Sequence, residues 1–357
     1  MLKKYWVGRD VLLLWVGQVI TQAGDSVYQI ALIWLMLDMT GSSTMTGLAG
    51  MTAYLPSLVF GLFAGVMSDR FDRRRIMMLS DVVRAGLVLA IPLLFFIEKL
   101  SPLWLVVVTF MVASVGTLFN PARDSIIPDI APKGKLELSN SLVQTSWQLA
   151  MFVGPAIAGL LIPLIGIIHL FEFDSATFIL SMFCILAISR AAGRHALDGG
   201  KGKEEGFFSS ATASVAEGLR YAWNDKRIKH LLIITAVYNI FLMGVPIVAT
   251  PVFVKEILDG KPETYAWLQA VYAGGMVIGA PLAVFLSKRV SKGSLMLAGI
   301  IFDGLTFIPL CFAQTNGMAL LLMFIHSIFV PLILVPRATM VQRIVERRML
   351  GRVFSMM

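Results

Sequence analysis

Long apolar segments dominate the chain. Ten of them approach or exceed the roughly 18 residues that a membrane-spanning helix needs; they cover residues 11–37, 45–67, 76–97, 103–119, 142–165, 167–189, 231–253, 265–286, 295–313 and 318–336. The segments are continuous rather than alternating, and a helix satisfies its backbone hydrogen bonds internally within lipid, so the pattern predicts helices and not a barrel. The first segment is longer than a signal-peptide core. We therefore predict an all-α polytopic membrane protein whose first helix is retained.

The composition agrees with this pattern. Hydrophobic residues make up 57% of the chain and charged residues 15%, with a mean hydropathy of +0.79, which is more apolar surface than soluble cores hold. The two cysteines, Cys184 and Cys311, lie in apolar segments as small hydrophobes. The sequence has no phosphate-binding loop, metal-spaced His or Cys cluster, or Ser-His-Asp arrangement. We expect no enzymatic activity, no metal and no cofactor.

Positive charge is distributed asymmetrically between the loops. When ten spans are threaded from a cytoplasmic start, 26 of the 30 basic residues fall on the side of both termini. The positive-inside rule then predicts a cell (inner) membrane protein with a cytoplasmic N-terminus. The net charge of +8 is a consequence of this topology, and basic residues scattered over short loops do not form a nucleic-acid surface. The expected surroundings are membrane lipids.

The chain repeats itself around one polar segment. Residues 191–228 are rich in glycine and mixed charge and read as a cytoplasmic linker between an N-terminal six-helix bundle, 1–190, and a C-terminal bundle, 229–357. At an offset of 214 residues, Gly65 matches Gly279 and Arg74 matches Lys288, which indicates two related halves. A complete second half would reach about residue 404. We expect ten of twelve helices and a C-terminal truncation.

A polar stripe runs along the first predicted helix. Its residues recur at i, i+4, i+7 and i+11, a spacing that places them on one helical face, and its carboxylate lies near the middle of the span. Such a stripe suits a water-filled cavity with a proton-binding carboxylate, although an interhelical hydrogen bond is the alternative. Gln144 and Gln148 on the fifth predicted helix extend the set, as does Asn239, which the offset of 214 residues matches with Asp25. The predicted proton and substrate cavity comprises Asp25, Gln18, Gln22, Gln29, Asn239, Gln144 and Gln148.

Further ionisable residues fall inside apolar segments. Asp81 and Arg84 are three residues apart, so they are expected to pair with each other or with nearby arginines. Asp303 and His326 lie deep in the ninth and tenth segments, where a proton relay and a buried polar pair are both open. Asp174 is expected at the outer interface.

The most specific motif stands between the second and third segments. Gly65-Val-Met-Ser-Asp-Arg-Phe-Asp-Arg-Arg-Arg75 resembles the G-x-x-x-D-R-x-G-R-R signature of the major facilitator superfamily, with Asp72 in place of the usual glycine. The resemblance implies a two-bundle fold, a glycine that permits close helix packing, and arginines that hold a cytoplasmic gate. A stop-transfer cluster is the alternative. The implied gate residues are Gly65, Asp69, Arg70, Arg73, Arg74 and Arg75, with Asp81 and Arg84 beside them.

Other motifs narrow the resemblance. Phe119-Asn-Pro-Ala-Arg123 and Gly351-Arg-Val-Phe-Ser355 resemble the branch that contains macrolide, multidrug and siderophore exporters. In the fifth segment Gly154-Pro-Ala-Ile-Ala-Gly159 resembles the superfamily's antiporter motif, with Gly154, Pro155 and Gly159 as its key residues. The alternative is that these residues only permit close helix packing and carry no information about the direction of transport. The better-known proton-coupled drug exporters of this superfamily carry a mid-membrane arginine in the fourth helix, and the fourth segment here has none. The comparison implies that Asp25 is the main candidate for coupling to protons.

Together these features lead to one predicted function and its rivals. The resemblance implies a secondary active transporter, a monomer that uses protons to export lipophilic cationic small molecules such as macrolides by alternating access. Export of a siderophore or a lysolipid is the runner-up, although the carboxylate on the first helix favours a cationic cargo over an anionic one. A truncated membrane protein that does not transport is the rival from another class.

Overall fold

The computed structural model describes residues 7–189, 219–346 and 353, and every regular element in these ranges is a helix. Most of the predicted linker, 191–228, lies outside the described residues. The chain divides into two compact units, one of residues 1–201 with 261–267, and one of residues 202–260 with 268–357. The domain bounds expected from the sequence, 1–190, 191–228 and 229–357, stay a prediction.

The first unit is built from seven described helices together with residues 261–267. Three of these helices begin at capping side chains, because Ser42, Asp72 and Ser101 each accept a hydrogen bond from a backbone N–H of the first turn. The helices are α1 Arg9–Thr40, α2 Ser43–Thr52, α3 Leu55–Arg70, α4 Arg73–Phe96, α5 Pro102–Ile130, α6 Leu136–Ile165 and α7 His169–Leu186.

The second unit contains shorter helices that are interrupted by irregular turns. The α-helices are α8 Lys226–Tyr238, α9 Val245–Val252, α10 Pro262–Leu286, of which the first turns belong to the first unit, α11 Lys292–Phe307, α12 Asn316–Ser327 and α13 Pro331–Ile344. Two π-helical segments, Asn239–Gly244 and Phe253–Ile257, flank α9, and a 3₁₀ segment, Ile308–Phe312, extends α11. Asp225 caps α8, and its hydrogen bonds with Arg227 lower the pKa of the Asp225 carboxyl to about 2.

Seven helical stretches within the described ranges are long and apolar enough to cross a membrane: Arg73–Phe96, Pro102–Ile130, Leu136–Ile165, His169–Leu186, Pro262–Leu286, Lys292–Phe312 and Asn316–Ile344. The last two stretches join α11 with its 3₁₀ extension and α12 with α13. The predicted number of ten spans is not confirmed. The second predicted segment is divided into α2 and α3, and the π-helical turns divide the seventh. At about 48 Å, α1 is long enough to cross a bilayer. It is not among the seven because its polar stripe lowers its mean hydropathy.

The packing of the first unit is organised around α1. Leu14 of α1 is buried in an apolar cluster with Met77 of α4, Phe119 and Ile126 of α5, and Ile185 of α7. Between membrane helices such side chains contribute through van der Waals packing, because lipid tails are as apolar as the cluster itself. Three helices thus converge on one end of α1, and this convergence fixes which faces of α1 meet its neighbours.

Candidate functional site in the first unit

An ion pair between α1 and α4 forms the centre of the site. Arg84 Nη2 lies 2.7 Å from Asp25 Oδ1 and donates a hydrogen bond to it. The Arg84 side chain is 11% exposed, whereas 37% of the Asp25 side chain is exposed. The carboxylate that the sequence singled out is therefore partly accessible and already has a cationic partner, which lies behind it in the helix bundle.

Two more carboxyl groups, those of Asp81 and Asp174, lie near the same arginine. Asp81 is fully buried, with Oδ1 3.9 Å from Arg84 Nη1. The expected depth of Asp174 at the outer interface stays a prediction, but its side chain on α7 is 1% exposed and therefore buried within the bundle. The reason is the close approach of α1 and α7 at Gly24, where a Cβ atom would lie 2.5 Å from Asp174 Oδ1.

The cluster contains more negative than positive groups. Asp25, Asp81 and Asp174 share one nearby guanidinium. Both carboxyl oxygens of Asp81 and one of Asp174 are buried without a hydrogen-bond partner among the described residues. Three carboxyl groups and one guanidinium are electrically neutral when they carry two protons, and buried charge without compensation is costly. The arrangement therefore has the capacity to bind protons.

Aromatic and hydroxyl groups hold this cluster in place. The Phe178 ring stacks under the Arg84 guanidinium, with 4.0 Å between Cζ and the ring centroid. Tyr28, one turn beyond Asp25 on α1, shares a 2.7 Å hydrogen bond with Thr109 of α5. Its ring also makes an edge contact with Phe171 of α7 at 5.4 Å between centroids. These contacts tie α1 to α4, α5 and α7 around the ion pair.

The glutamines of the stripe divide into two environments. Gln18 and Gln22 are buried, and Gln18 Oε1 accepts hydrogen bonds from Gln22 Nε2 and from Arg123 Nη1 of α5, both at 3.2 Å. This contact is the interhelical alternative considered for the stripe. Gln29, like Asp25, is only partly buried. The partly exposed portion of the stripe therefore lies at Asp25 and Gln29.

The described structure does not test the other three predicted cavity residues. Gln148 of α6 is exposed. Asn239 belongs to the second unit, where it begins the π-helical segment Asn239–Gly244. The side chain of Gln144 lies outside the part of the chain that the structure describes. The assignment of these residues to a cavity stays a prediction.

The residue that departs from the family motif has a structural task. Asp72 is the N-cap of α4, and its Oδ1 accepts a hydrogen bond of 3.2 Å from the backbone N–H of Arg75. The carboxylate also compensates the positive end of the α4 dipole. The surroundings of Gly65 and the side chains of Asp69 and Arg70 lie outside the described part of the structure, so the gate role of these residues stays a prediction.

Two motif arginines fasten α4 to its neighbours. Arg73 Nη1 forms a 2.7 Å ion pair with Asp129 Oδ2 near the end of α5. Arg74 donates hydrogen bonds to the carbonyl oxygens of Ile185, at 3.0 Å from Nε, and of Leu186. These carbonyls are at the C-terminus of α7, where a cation is favourable. The arginines thus hold the ends of three helices together.

The antiporter-like motif lies on a buried face of α6. Gly154, Pro155 and Gly159 are all buried, and α6 continues through Pro155. A Cβ atom on Gly154 would lie 2.5 Å from Ser26 Oγ and 3.1 Å from the carbonyl oxygen of Ala23, both on α1. The glycine thus permits a close approach of α6 and α1, which gives the packing alternative a concrete basis.

Sequence reasoning missed two members of the central cluster. It assigned neither Arg84 to Asp25 nor Asp174 to the same cluster. A signal was present for both, because each residue lies well inside an apolar segment, and an ionisable residue at such depth marks a buried partner or a functional site. Helical periodicity alone does not say which helices face each other, so the partners became visible only in the fold.

Two units of long apolar helices and a buried ionic cluster define a polytopic membrane protein of the transporter class. The family model described as Major Facilitator Superfamily matches residues 14–357. The chain belongs to the major facilitator superfamily, whose members move small molecules across membranes and are transporters rather than enzymes.

Individual proteins resemble the chain over most of its length. It is 28% identical to the multidrug efflux pump Tap of Mycolicibacterium fortuitum over 87% of this chain and 76% of that protein. It is 26% identical to macrolide efflux protein A of Streptococcus pyogenes over 96% of this chain and 83% of that protein. A solved bacterial homologue of the human lysosomal transporter Spinster, in an inward-facing and unoccupied conformation, has a TM-score of 0.72 and 19% identity, and the match covers 97% of this chain and 78% of that one. This last likeness concerns the fold alone.

Proposed function

We propose that this protein is a proton-driven exporter of lipophilic cations, in the class of drugs that includes macrolides. It works by alternating access as a monomer surrounded by membrane lipids, with its N-terminus in the cytoplasm. The names of the efflux relatives support the export of drugs. The observation that carries the proposal is the partly exposed Asp25 carboxylate with Arg84 behind it.

Competition between positive species for the Asp25 carboxylate explains how a proton is exchanged for a cationic substrate. Three positive species are able to neutralise Asp25: the guanidinium of Arg84, a proton, and a cationic substrate. A proton on Asp25 weakens its attraction for the other two, because the interaction is between opposite charges. Uptake of a proton therefore favours release of a cationic substrate, and this exclusion is the requirement for antiport.

The buried carboxylates give Arg84 an alternative partner. When Asp25 is protonated or holds substrate, the guanidinium needs another counter-charge, because an unpaired charge in this environment is costly. Asp81 Oδ1 lies 3.9 Å from Arg84 Nη1, within reach of a small side-chain rotation. Phe178 keeps the guanidinium plane in position during that change. Arg84 thus acts as a built-in counter-ion.

Efflux of a fluorescent lipophilic cation from energised cells tests the proposal. We expect Asp25→Asn to slow efflux at least about tenfold, because the amide neither binds a proton nor attracts a cation. Asp72→Asn is the matched control, since it makes the same chemical change in the first unit while an asparagine still caps α4. A protonophore should abolish efflux by the unaltered chain and by the control.

The outcomes separate the alternatives. Efflux by Asp25→Asn at the rate of the unaltered chain would refute the coupling role of Asp25. Protonophore-resistant efflux would refute proton coupling. If the membrane-inserted chain moves no cation in a panel but moves an anionic siderophore or a lysolipid, the cationic cargo is wrong. Equal amounts of each variant in the membrane, measured by immunoblot, show that a loss of efflux is not a loss of protein.

A further inference from the structure

The second unit contains a buried acid–base pair that the proposed mechanism does not use. Asp303 of α11 and His326 of α12 are 2% and 6% exposed. His326 Nε2 lies 3.6 Å from Asp303 Oδ1, and this carboxyl oxygen is buried without a hydrogen-bond partner among the described residues. A carboxyl group and an imidazole, the side chain that titrates near neutral pH in water, thus face each other inside an apolar bundle.

The other ring nitrogen shows which tautomer the site favours. His326 Nδ1 lies 3.2 Å from the carbonyl oxygen of Asp303 and 3.2 Å from Thr306 Oγ1. A carbonyl oxygen only accepts hydrogen bonds. The Thr306 hydroxyl is within 2.6 Å of the Phe302 carbonyl and donates its proton there. Nδ1 therefore has two acceptors and no donor in front of it, so it bears the hydrogen.

This tautomer determines what lies between the two side chains. In a neutral imidazole with hydrogen on Nδ1, Nε2 carries a lone pair. An ionised Asp303 would then direct a second lone pair at it, which is repulsive. One additional proton removes the conflict, either on Asp303 Oδ1 or on His326 Nε2. The geometry of this pair therefore favours the tautomer with hydrogen on Nδ1 and one further proton between Nε2 and Asp303 Oδ1.

The titratable neighbours of the pair come from three more helices. The Tyr272 ring of α10 lies 6.2 Å from the His326 ring, centroid to centroid. Tyr238 of α8 is also close enough to interact electrostatically with Asp303, and Arg337 of α13 is close to Tyr238. The Phe307 ring covers His326 at 5.3 Å. The pair is thus enclosed by phenols and an apolar ring, with one guanidinium farther away.

We propose that Asp303 and His326 share one exchangeable proton and form a second protonation site, located in the second unit. The step is simple: the pair takes one proton from water and later returns it to water, and no other bond changes. The proposal deepens the proton-driven function and rests on it for its role in transport, but the protonation itself is independent of Asp25. Nothing in the site requires a metal or a cofactor.

Nitrogen NMR of the imidazole groups tests the site without a transport assay. The chain has 4 histidines, so ¹⁵N-histidine labelling of the purified protein in lipid nanodiscs gives few signals. The signal of His326 is identified by its loss in His326→Gln. If that variant does not fold, glutamine substitutions at His169, His195 and His230 assign it by elimination. Spectra are recorded from about pH 5 to about pH 9, the range around the titration of histidine.

We expect hydrogen on Nδ1 throughout and a change at Nε2 across this pH range. In Asp303→Asn the pH dependence of the Nε2 signal should shift or vanish. Asp225→Asn, the same change at a partly exposed carboxyl of this unit, should leave it unaltered. Hydrogen on Nε2 and none on Nδ1 in the unaltered protein would overturn the tautomer. A signal that does not change with pH would show a structural pair that exchanges no proton.

Dye efflux connects the site to transport. His326→Gln should alter the pH dependence of efflux but, unlike Asp25→Asn, should retain binding of the cation, measured by fluorescence anisotropy of the dye. An unchanged pH profile would contradict a role in transport. If Asp25→Asn has no effect on efflux while the NMR result for His326 holds, the proposed function fails and the protonation site stands.

Discussion

The close contact between α6 and α1 allows a quantitative test of the antiporter-like motif. In Gly154→Ala the new methyl group would lie 2.5 Å from Ser26 Oγ and 3.1 Å from the carbonyl oxygen of Ala23. Overpacking of this kind costs about 1–3 kcal/mol. Alanine recovers up to about 1 kcal/mol of helix propensity relative to glycine. We expect a net loss of up to about 2 kcal/mol in the free energy of unfolding.

A matched glycine isolates the steric part of this effect. Gly86 of α4 has no heavy atom within 4 Å of an added Cβ, so Gly86→Ala carries the propensity gain without the clash. The difference between the two variants should equal the steric cost, about 1–3 kcal/mol. Unfolding of the purified protein by denaturant, followed by circular dichroism, measures both variants under the same conditions.

A second substitution on α1 tests whether the clash has the stated origin. Ser26→Gly removes the obstructing side chain, so Gly154→Ala should cost less in the Ser26→Gly background, with a coupling energy on the order of 1 kcal/mol. The recovery should be partial because the Ala23 carbonyl remains. Equal stability of Gly154→Ala and Gly86→Ala would refute the close approach. A destabilised Gly154→Ala that still exports dye per folded molecule would assign the motif to packing.

Two further predictions concern the first unit, and both use the same unfolding assay. Asp72→Ala should lose about 1 kcal/mol because the first turn of α4 loses its cap, while Asp72→Asn should lose much less; equal losses would argue against capping. Tyr28→Phe should also lose about 1 kcal/mol, since the 2.7 Å hydrogen bond to Thr109 links α1 to α5. Adding Thr109→Val should recover part of that loss, and failure to do so would argue against the hydrogen bond as the cause.

The amino-acid sequence by itself determined the class of this protein. Long apolar segments have no stable form in water, and a helix is the simplest way to satisfy the backbone of such a segment in lipid. The motif from Gly65 to Arg75 then indicated the superfamily to which residues 14–357 belong. Both signals are local, because each depends on neighbouring residues in the chain. The depth of Asp25 in its segment marked it as a candidate in the same way.

Only the tertiary structure decided which groups share a site. Helical periodicity assigned Asp25 to a face of α1, but the partner of that face depends on how the helices pack. Close packing at Gly24 and Gly154 brings α7 and α6 against α1, which buries Asp174 and leaves Arg84 beside Asp25. The role of Asp72 as a cap likewise depends on where α4 begins. Contacts between residues far apart in the chain have no local signature, since they arise from the complementarity of whole helix surfaces.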